Sequence, residues 1–297
     1  MLFRSVNMLP SVGGERDIAQ FLQVIPGVVF TGDQGGQLYI RGGAPIQNKV
    51  LLDGMVIYNP FHSIGLFSVF DTDIIRNTDV YTGGFNVEYG GRVSSVMDFT
   101  TRDGNRKEFG GKVNTNSFAT KVMVEGPIKK MSDNQFSSIS YILSAKKSYI
   151  EWASANLNPQ LDTLRLPFEF TDIFGKISLN GKSGNKLNIF GFSFNDNVNK
   201  YQGLADYDWN SYGFGASTVL IPSGSSTQIN MGFNYSGYKI KMDADDDIPR
   251  TSAVGNFGFN MTFNYYFGDN EFKYGVDLVN MRTDYSYTNV YNYQLNF

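Results

Sequence analysis

The stretch Phe257-Gly258-Phe259-Asn260-Met261-Thr262-Phe263-Asn264-Tyr265-Tyr266-Phe267 decides how the chain is read. Phe257, Phe259, Met261, Phe263, Tyr265 and Phe267 alternate with small and amide side chains. That period of two gives an extended strand one greasy face and one wet face. The same alternation places Ile229, Met231, Phe233 and Tyr235 against Asn230, Gly232 and Asn234, and Ile173, Gly175, Ile177 and Leu179 against Phe174, Lys176 and Ser178. It begins near residue 105 and persists to the end of the chain. Strands are expected at Lys107–Thr115, Phe118–Gly126, Gln135–Tyr149, Phe168–Asn180, Lys186–Asn195, Ser211–Ile221, Thr227–Lys241, Gly255–Phe267 and from Glu271 onward.

The connections between those strands say which solvent meets which face. Tight turns at Gly181–Asn185, Pro222–Ser226 and Gly268–Asn270 alternate with longer loops at Ile150–Pro167, Asp196–Asn210 and Met242–Val254. A soluble sandwich has no reason to gather its long loops at one end, whereas an outer-membrane barrel does, with short turns inside the cell envelope and long loops outside. On this reading Phe257, Phe259, Met261, Phe263 and Tyr265 face lipid, and the Asn, Ser and Gly face lines a wet lumen. The fold class expected is mainly β: a small α+β unit over residues 1–105, then an incomplete antiparallel transmembrane β-barrel over residues 106–297. An open sheet edge leaves unpaired N–H and C=O groups in hydrocarbon at several kcal/mol each. Nine strands that stop without closing therefore read as a piece of a longer barrel.

Composition agrees with a β-rich chain and narrows the chemistry. Among the 297 residues are 25 Phe, 18 Tyr and 32 Gly, with charged residues at 18% against the ~25% usual for soluble domains. Zero cysteine excludes disulfides, thiolate metal sites and cysteine nucleophiles, and a single histidine, His62, leaves little for metal binding or Ser-His catalysis. A net charge of −3 argues against nucleic acid as a partner. No run of ~20 apolar residues predicts a spanning helix. Met1-Leu2-Phe3-Arg4-Ser5 opens without the apolar core of a signal peptide, as expected of an internal piece of an exported protein. No catalytic residue, cofactor or metal site is expected, and the chain reads as a non-enzyme.

The first third is patterned differently. Ile18, Phe21, Leu22 and Ile25 recur at helical spacing after Glu15-Arg16-Asp17, and Pro26-Gly27 ends the helix. Strands follow at Gln37–Arg41, Lys49–Leu52 and Met55–Tyr58, the last two joined by Asp53-Gly54, a hairpin signal because both central residues of a type I′ turn need positive φ. Ile64–Ile75 is expected to be a short helix, and Asp79–Thr82 and Val93–Thr100 strands. The glycines at Gly32–Gly36, Gly42-Gly43 and Gly83-Gly84 match no phosphate-binding loop and read as turns.

At these residues a resemblance appears. Gly14–Ile18 leading to Val24-Ile25-Pro26-Gly27-Val28, Leu38-Tyr39-Ile40-Arg41-Gly42-Gly43, Val50–Pro60, and Tyr81–Phe85 through Glu88-Tyr89-Gly90-Gly91-Arg92 and Ser95–Asp98 resemble, in order, the plug domain of TonB-dependent outer-membrane receptors, most nearly those of the Bacteroidetes type. The rest resembles the first strands of the family's barrel, about nine of roughly 22 around a plugged lumen.

The resemblance implies energy-coupled uptake of a scarce solute such as a siderophore, cofactor, peptide or oligosaccharide across the outer membrane of a Gram-negative bacterium. It implies a TonB-ExbB-ExbD partner acting through an N-terminal box that would lie upstream of Met1, contact with outer-membrane lipid, and in some receptors a surface lipoprotein. It also makes Arg41 and Arg92 candidates to bridge the plug to wall carboxylates, with solvated surface arginines as the alternative. Solute contact is expected on outward plug loops, at Gly43–Asn48 and at Tyr58, Asn59, Phe61 and His62; the competing reading packs Phe61 under the loop and lets His62 cap a turn. Asp243-Ala244-Asp245-Asp246-Asp247 suggests calcium, but an EF-type loop would need Gly at Ile248 and Glu at Val254, so a solvated loop is preferred. A secreted β-rich adhesin using the long loops is the alternative from another class.

If the Phe257–Phe267 face meets lipid, Phe259→Asp and Phe263→Asp will each block membrane assembly of the intact receptor, while Asn260→Asp is tolerated. Fractionation of the outer membrane measures all three, and equal assembly would reverse the assignment of faces.

Overall fold

The computed structural model describes residues 17–23, 25–31, 36–62, 65–130, 137–157, 166–201, 205–244, 250–288 and 294–296. Glu15 and Arg16, Gly32–Gly35, Asp245–Asp247, and the late tyrosines Tyr291 and Tyr293 lie outside the described residues.

The first unit is built on helix α1 (Ile18–Gln23), whose Ile18, Phe21 and Leu22 are buried as the helical spacing requires. Hairpin β1 (Val28–Thr31) and β2 (Gln37–Ile40) follows. β3 (Asn48–Leu52) and β4 (Met55–Val56) form the expected hairpin, with φ of 48° at Asp53 and 86° at Gly54. Asp53 then earns its place a second time: its carboxylate accepts the Thr101 N–H at 2.9 Å and so ties the turn to a neighbouring strand. A two-residue pair, β5 (Phe61–His62) and β6 (Phe67–Ser68), precedes β7 (Ile75–Tyr81) and β8 (Ser95–Thr101). The sheet order is β4-β3-β8-β7, with β3 and β8 parallel.

Ile64 lies outside the described residues, and over the rest of the short helix expected at Ile64–Ile75 stand β6, a turn and the start of β7. Asp71 accepts the Asp73 N–H at 2.9 Å, a side-chain turn that competes with helix. The apolar residues fall in pairs, Val69-Phe70 and Ile74-Ile75, all buried, rather than along one helical stripe.

From residue 110 the chain forms one antiparallel sheet in which every strand pairs with its sequence neighbour. Its strands are β9 (Gly110–Thr115), β10 (Ala119–Lys129), β11 (Ser138–Ser148), β12 (Phe168–Asn180), β13 (Lys186–Tyr201), β14 (Ala205–Leu220), β15 (Thr227–Ala244), β16 (Arg250–Phe267), β17 (Asn270–Thr288) and the short β18 (Gln294–Asn296). This is a single wall, not two stacked sheets. It curves around the first unit, called the plug below, which contacts the wall from β9 round to β17. The end of the wall bearing the long loops is taken here as the upper end.

The faces are sorted on β15 and β16 as the alternation requires. Phe257 is 39% exposed on the outer face and stacks edge-on with Phe233, while Asn256 beside it is 4% exposed and points inward with Asn234, Ser236 and Asn264. Near the lower turn at Gly268, outward Tyr265, Phe267, Phe272 and Tyr274 form an aromatic rim.

Two features differ from expectation, each for a physical reason. β13 to β16 run past their expected upper ends, to lengths of 16 to 18 residues. At ~3.3 Å per residue the longest reach about 60 Å, more than an apolar band ~25 Å tall can cover. Above that band both faces meet water, the apolar alternation stops, and the extensions around Asp196–Asn210 and Met242–Val254 look like loops. The Ile150–Pro167 connection contains helix α2 (Ile150–Leu157), which buries Ile150, Ala153 and Ser154 at helical spacing.

The lumen is also not wet throughout. Ile189 is 50% exposed outward while Phe190, its neighbour, is 4% exposed inward. Phe174, Phe190, Phe192 and Phe194 make an apolar stripe on which plug residues Met55, Ile57, Met97 and Phe99 pack. Glycines on β14 leave room for it: a side chain at Gly213 would meet the Phe192 ring at 2.6 Å and the Met55 sulfur at 3.0 Å.

The plug joins the wall through residues 102–109. Buried Gly104 lies against β11, where an added Cβ would stand 1.9 Å from the Tyr141 carbonyl oxygen. Gly104→Ala must displace backbone, so we expect a loss of about 1–3 kcal/mol in the stability of the docked plug. Gly90→Ala, which meets nothing within 4 Å, should stay within about 0.5 kcal/mol of the parent. Urea unfolding of the intact receptor in micelles compares them.

Candidate functional site: a cavity between plug and wall

A cavity of about 940 Å³ lies between the plug and the wall. On the plug side the floor is made by Pro45–Lys49, by Val56–Phe61 and by Gly90-Gly91-Arg92. On the wall side Asp196, Tyr207, Trp209, Tyr238 and Asn256 come from the upper halves of β13 to β16, and Asp277, Val279 and Met281 from the middle of β17. The cavity therefore lies toward the end with the longer connections.

Its chemistry is aromatic and mixed in charge. Tyr207 and Trp209, two residues apart on β14 and hence on one face, lie nearly parallel with ring centres 5.6 Å apart. Tyr58 sits 6.3 Å from Tyr238 across the plug–wall gap. The Lys49 ammonium donates to the Gly90 carbonyl at 3.2 Å, and Arg92 donates to the Gly91 carbonyl at 2.9 Å. Burial pulls the Lys49 pKa down, against the raising influence of Asp277. Burial pushes the Tyr58 hydroxyl up, against the lowering influence of Arg92. The Tyr58 hydroxyl and the Asn256 Oδ1 are buried, and among the described residues neither has a hydrogen-bond partner. Such atoms are costly to leave unsatisfied and are the polar contacts the cavity has to offer.

Of the sequence-derived solute contacts, Tyr58 and Asn59 line this cavity and Phe61 forms part of its floor while only 3% exposed, packed 5.0 Å from Phe30. His62 is corrected: it neither lines the cavity nor caps a turn. With 0% exposure it is held between two wall carboxylates, its Nδ1 at 2.8 Å from Asp196 Oδ2 and its Nε2 at 2.9 Å from Asp172 Oδ1, stacked on Phe170 with ring centres 4.2 Å apart. Burial by itself would lower the His62 pKa, but the two carboxylates reverse that and push it up to about 10. The ring is thus an imidazolium.

His62 is one of several charged ties between plug and wall. Lys121 on β10 reaches Asp71 at 2.8 Å and Asp73 at 2.6 Å, and Lys112 reaches Asp73 at 2.7 Å. Burial would raise the Asp73 pKa, yet these two ammonium groups hold it below the usual carboxylate range. Lys176 on β12 lies 3.3 Å from Asp53 and donates to Thr101 Oγ1 at 2.8 Å. Arg102 forms a two-pronged pair with Glu125 at 2.6 and 3.0 Å. Lys186 on β13 reaches Asp103 at 2.6 Å, and Lys273 on β17 pairs with Glu88.

Most cations in these ties belong to the wall and most carboxylates to the plug, the reverse of the arrangement expected for Arg41 and Arg92. Arg41 is exposed at positive φ and lies against Gly83. Arg92 lies at the cavity edge. Among the described residues neither pairs with a wall carboxylate. Of the lipid-face residues, Phe257, Phe259, Met261, Phe263 and Tyr265 share the outer face of β16. Asp243 pairs with Lys241 at 2.5 Å, and among the described residues no cluster of metal-binding side chains forms.

A domain filling the inside of a curved antiparallel wall, with long extensions at one end and tight turns at the other, defines a plugged barrel of the outer-membrane type. Residues 10–96 match the family model described as TonB-dependent Receptor Plug Domain. Those residues are therefore similar to a TonB-dependent receptor plug domain, and the strands that follow share the fold of the barrel wall in solved outer-membrane transporters. Solved structures agree on the fold. The outer-membrane transporter YddB from Escherichia coli matches at TM-score 0.64 and 13% identity over 99% of this chain and 50% of its own. The siderophore receptor PirA from Acinetobacter baumannii matches at 0.63 and 17% over 97% and 48%. The Serratia marcescens hemophore receptor HasR, solved with its hemophore HasA and heme, matches at 0.67 and 13% over 92% and 43%. The chain spans about half the length of these transporters. No curated protein matches it in sequence.

Asp103 offers a pH test of the plug–wall ties. Burial would raise its pKa, but Lys186 and Arg106 hold it down at about 2. A depressed carboxylate contributes stability fully above its unfolded value and loses it as pH falls through about 2. Lys186→Gln should cost about 1 kcal/mol at neutral pH after solvent screening and move acid release of the plug to higher pH. Acid titration of tryptophan fluorescence in the intact receptor measures both.

Proposed function

We propose that the chain forms the plug and adjoining wall of an outer-membrane transporter that binds a scarce solute from outside and imports it with energy from TonB-ExbB-ExbD. The observation that carries this reading is the cavity of about 940 Å³ on the upper side of a plug that fills the wall. A solute of a few hundred daltons fits that volume. With a folded unit beneath that cavity, passage of a solute would require the unit to shift.

In this reading residues 1–105 are the stopper and residues 106–297 the first part of the barrel. Tyr58, Asn59 and Phe61 contact solute from below, and Tyr207, Trp209 and Tyr238 from the wall. Stacking aromatics with amide and charged neighbours suit a siderophore, a ring-bearing cofactor, a peptide or an oligosaccharide. Phe257, Phe259, Met261, Phe263 and Tyr265 meet lipid. Arg41 and Arg92 are our candidates for ties to barrel strands other than those described. The site of action is the outer membrane of a Gram-negative bacterium, with the Bacteroidetes type suggested by the plug motifs, and a surface lipoprotein is a further candidate partner.

Tyr58→Ala and Trp209→Ala should each weaken solute binding about tenfold or more while the receptor still assembles, each removing about 1.4 kcal/mol or more of stacking contact. The check is equilibrium binding to the purified receptor together with uptake in cells with and without TonB. Uptake that persists without TonB would overturn the transport reading.

A further inference from the structure

The single histidine of the chain sits where the plug, the wall and the cavity meet. Its two ring nitrogens face carboxylates from adjacent wall strands, Asp172 on β12 and Asp196 on β13. Its ring is sandwiched by apolar surface, stacked on Phe170 and edge-on to Phe194 at 6.3 Å. The next strand of its own pair, β6, is tied back to the plug where the Ser68 N–H donates to Asp17 Oδ2 at 2.8 Å. Phe61 and Asp196, its neighbours in sequence and in space, both line the cavity. No other ion tie between plug and wall adjoins the cavity in this way among the described residues.

We propose that His62 is a releasable latch: as an imidazolium clamped by Asp172 and Asp196 it seats the plug under the cavity, and the plug segment around Phe61 moves when that clamp opens. This deepens the transporter reading by assigning the regulation of its site, and rests on it only for the purpose the latch would serve. The physical argument is one of reversibility. An apolar contact in the same place would hold the plug by burial alone. A buried ion triad is stable only while all three members are present, so loss of one partner leaves an uncompensated charge and opens the contact sharply. A bulky, fully enclosed ring between two carboxylates therefore gives a contact with two states, seated and released.

Every titratable group near the ring bears on its charge. Asp172 and Asp196 favour the proton; Lys146, whose ammonium lies 5.4 Å from the Phe170 ring centre, acts on Asp172; Tyr238 neighbours Asp196; and Asp17 holds β6. Because the folded pKa is raised from 6.5, the latch contributes in full below about pH 6.5 and is lost as pH rises through about 10.

The test uses the complete receptor in micelles with Leu66→Cys, an exposed position beside β6, carrying a nitroxide; this chain has no cysteine of its own. The parent should give an immobile spectrum from pH 6 to 9 and a mobile component above about pH 10. His62→Gln should be mobile at all these pH values, with rotational correlation time shortened about threefold, and should lack the step near pH 10. Lys147→Gln, which breaks the exposed pair with Glu169 on β12, should match the parent. Should His62→Gln fail to assemble, Asp196→Asn is read instead, and there the mobile component should grow in at least one pH unit lower. Spectra of both variants identical to the parent would overturn the latch. The measurement needs neither solute nor TonB, so its failure leaves the transport reading intact, and a transport failure with the spectral changes present leaves the latch intact.

Discussion

An extended backbone surrounded by hydrocarbon can satisfy its N–H and C=O groups only with another strand, and this constraint organises everything else in the chain. It demands a continuous ladder, and the wall from β11 to β17 supplies one, each strand paired with its neighbour along nearly its whole length. Once the ladder is set, the pleat leaves each strand two faces. Phe233, Phe257 and Tyr265 go outward and Asn234, Ser236 and Asn256 inward, the sorting that a hydrocarbon exterior would select. The same pleat carries Tyr207, Trp209 and Tyr238 inward above the plug, so the cavity's aromatic side follows from the register of the wall.

The plug answers a different demand. A stopper in a lumen must be held without becoming part of the core, and it uses two kinds of contact. The phenylalanine stripe on β12 and β13 gives non-directional burial, and glycines Gly213 and Gly215 on β14 let those rings lie flat along the wall. The charged ties give direction. Lys121, Lys176 and Lys186 each aim at a carboxylate of the plug or its linker, and each is useful in one register only. Buried pairs of this kind add little net stability beyond what apolar groups of similar volume would provide. What they add is position.

How much of this could be read in the residues depends on how many solvents a residue meets. On β15 and β16 one face meets a single apolar phase and the other a single polar one, so alternation alone assigned Phe257 and Asn256 to their sides. On β13 large apolar groups occupy both faces, Ile189 outward and Phe190 inward, because the plug presents a second apolar surface that no local pattern announces. The upper extensions of β13 to β16 read as loops because both their faces are wet. The Asp53-Gly54 turn was legible because its backbone demand is local. The partners of His62 were not: Asp172 and Asp196 lie more than a hundred residues away, and nothing local marks which carboxylates a pleat will bring to a lone histidine. Helix α2 did carry a signal, Ile150, Ala153 and Ser154 at helical spacing, inside a stretch read only for its length.

The distribution of ties bears on how such a plug can move. Breaking one buried pair by removing a partner costs about 3–5 kcal/mol, and an entire small domain is held together by only about 5–15 kcal/mol. Ejecting the plug whole would break the ties at Lys121, Lys176, Lys186, Arg102 and His62 together and strip the phenylalanine stripe besides. Whole ejection therefore gives up every one of these contacts in a single step. A segment that gives up one tie faces only one such barrier. The mechanics of this arrangement therefore favour local rearrangement beneath the cavity, with the remaining ties holding the rest of the plug in register for the return.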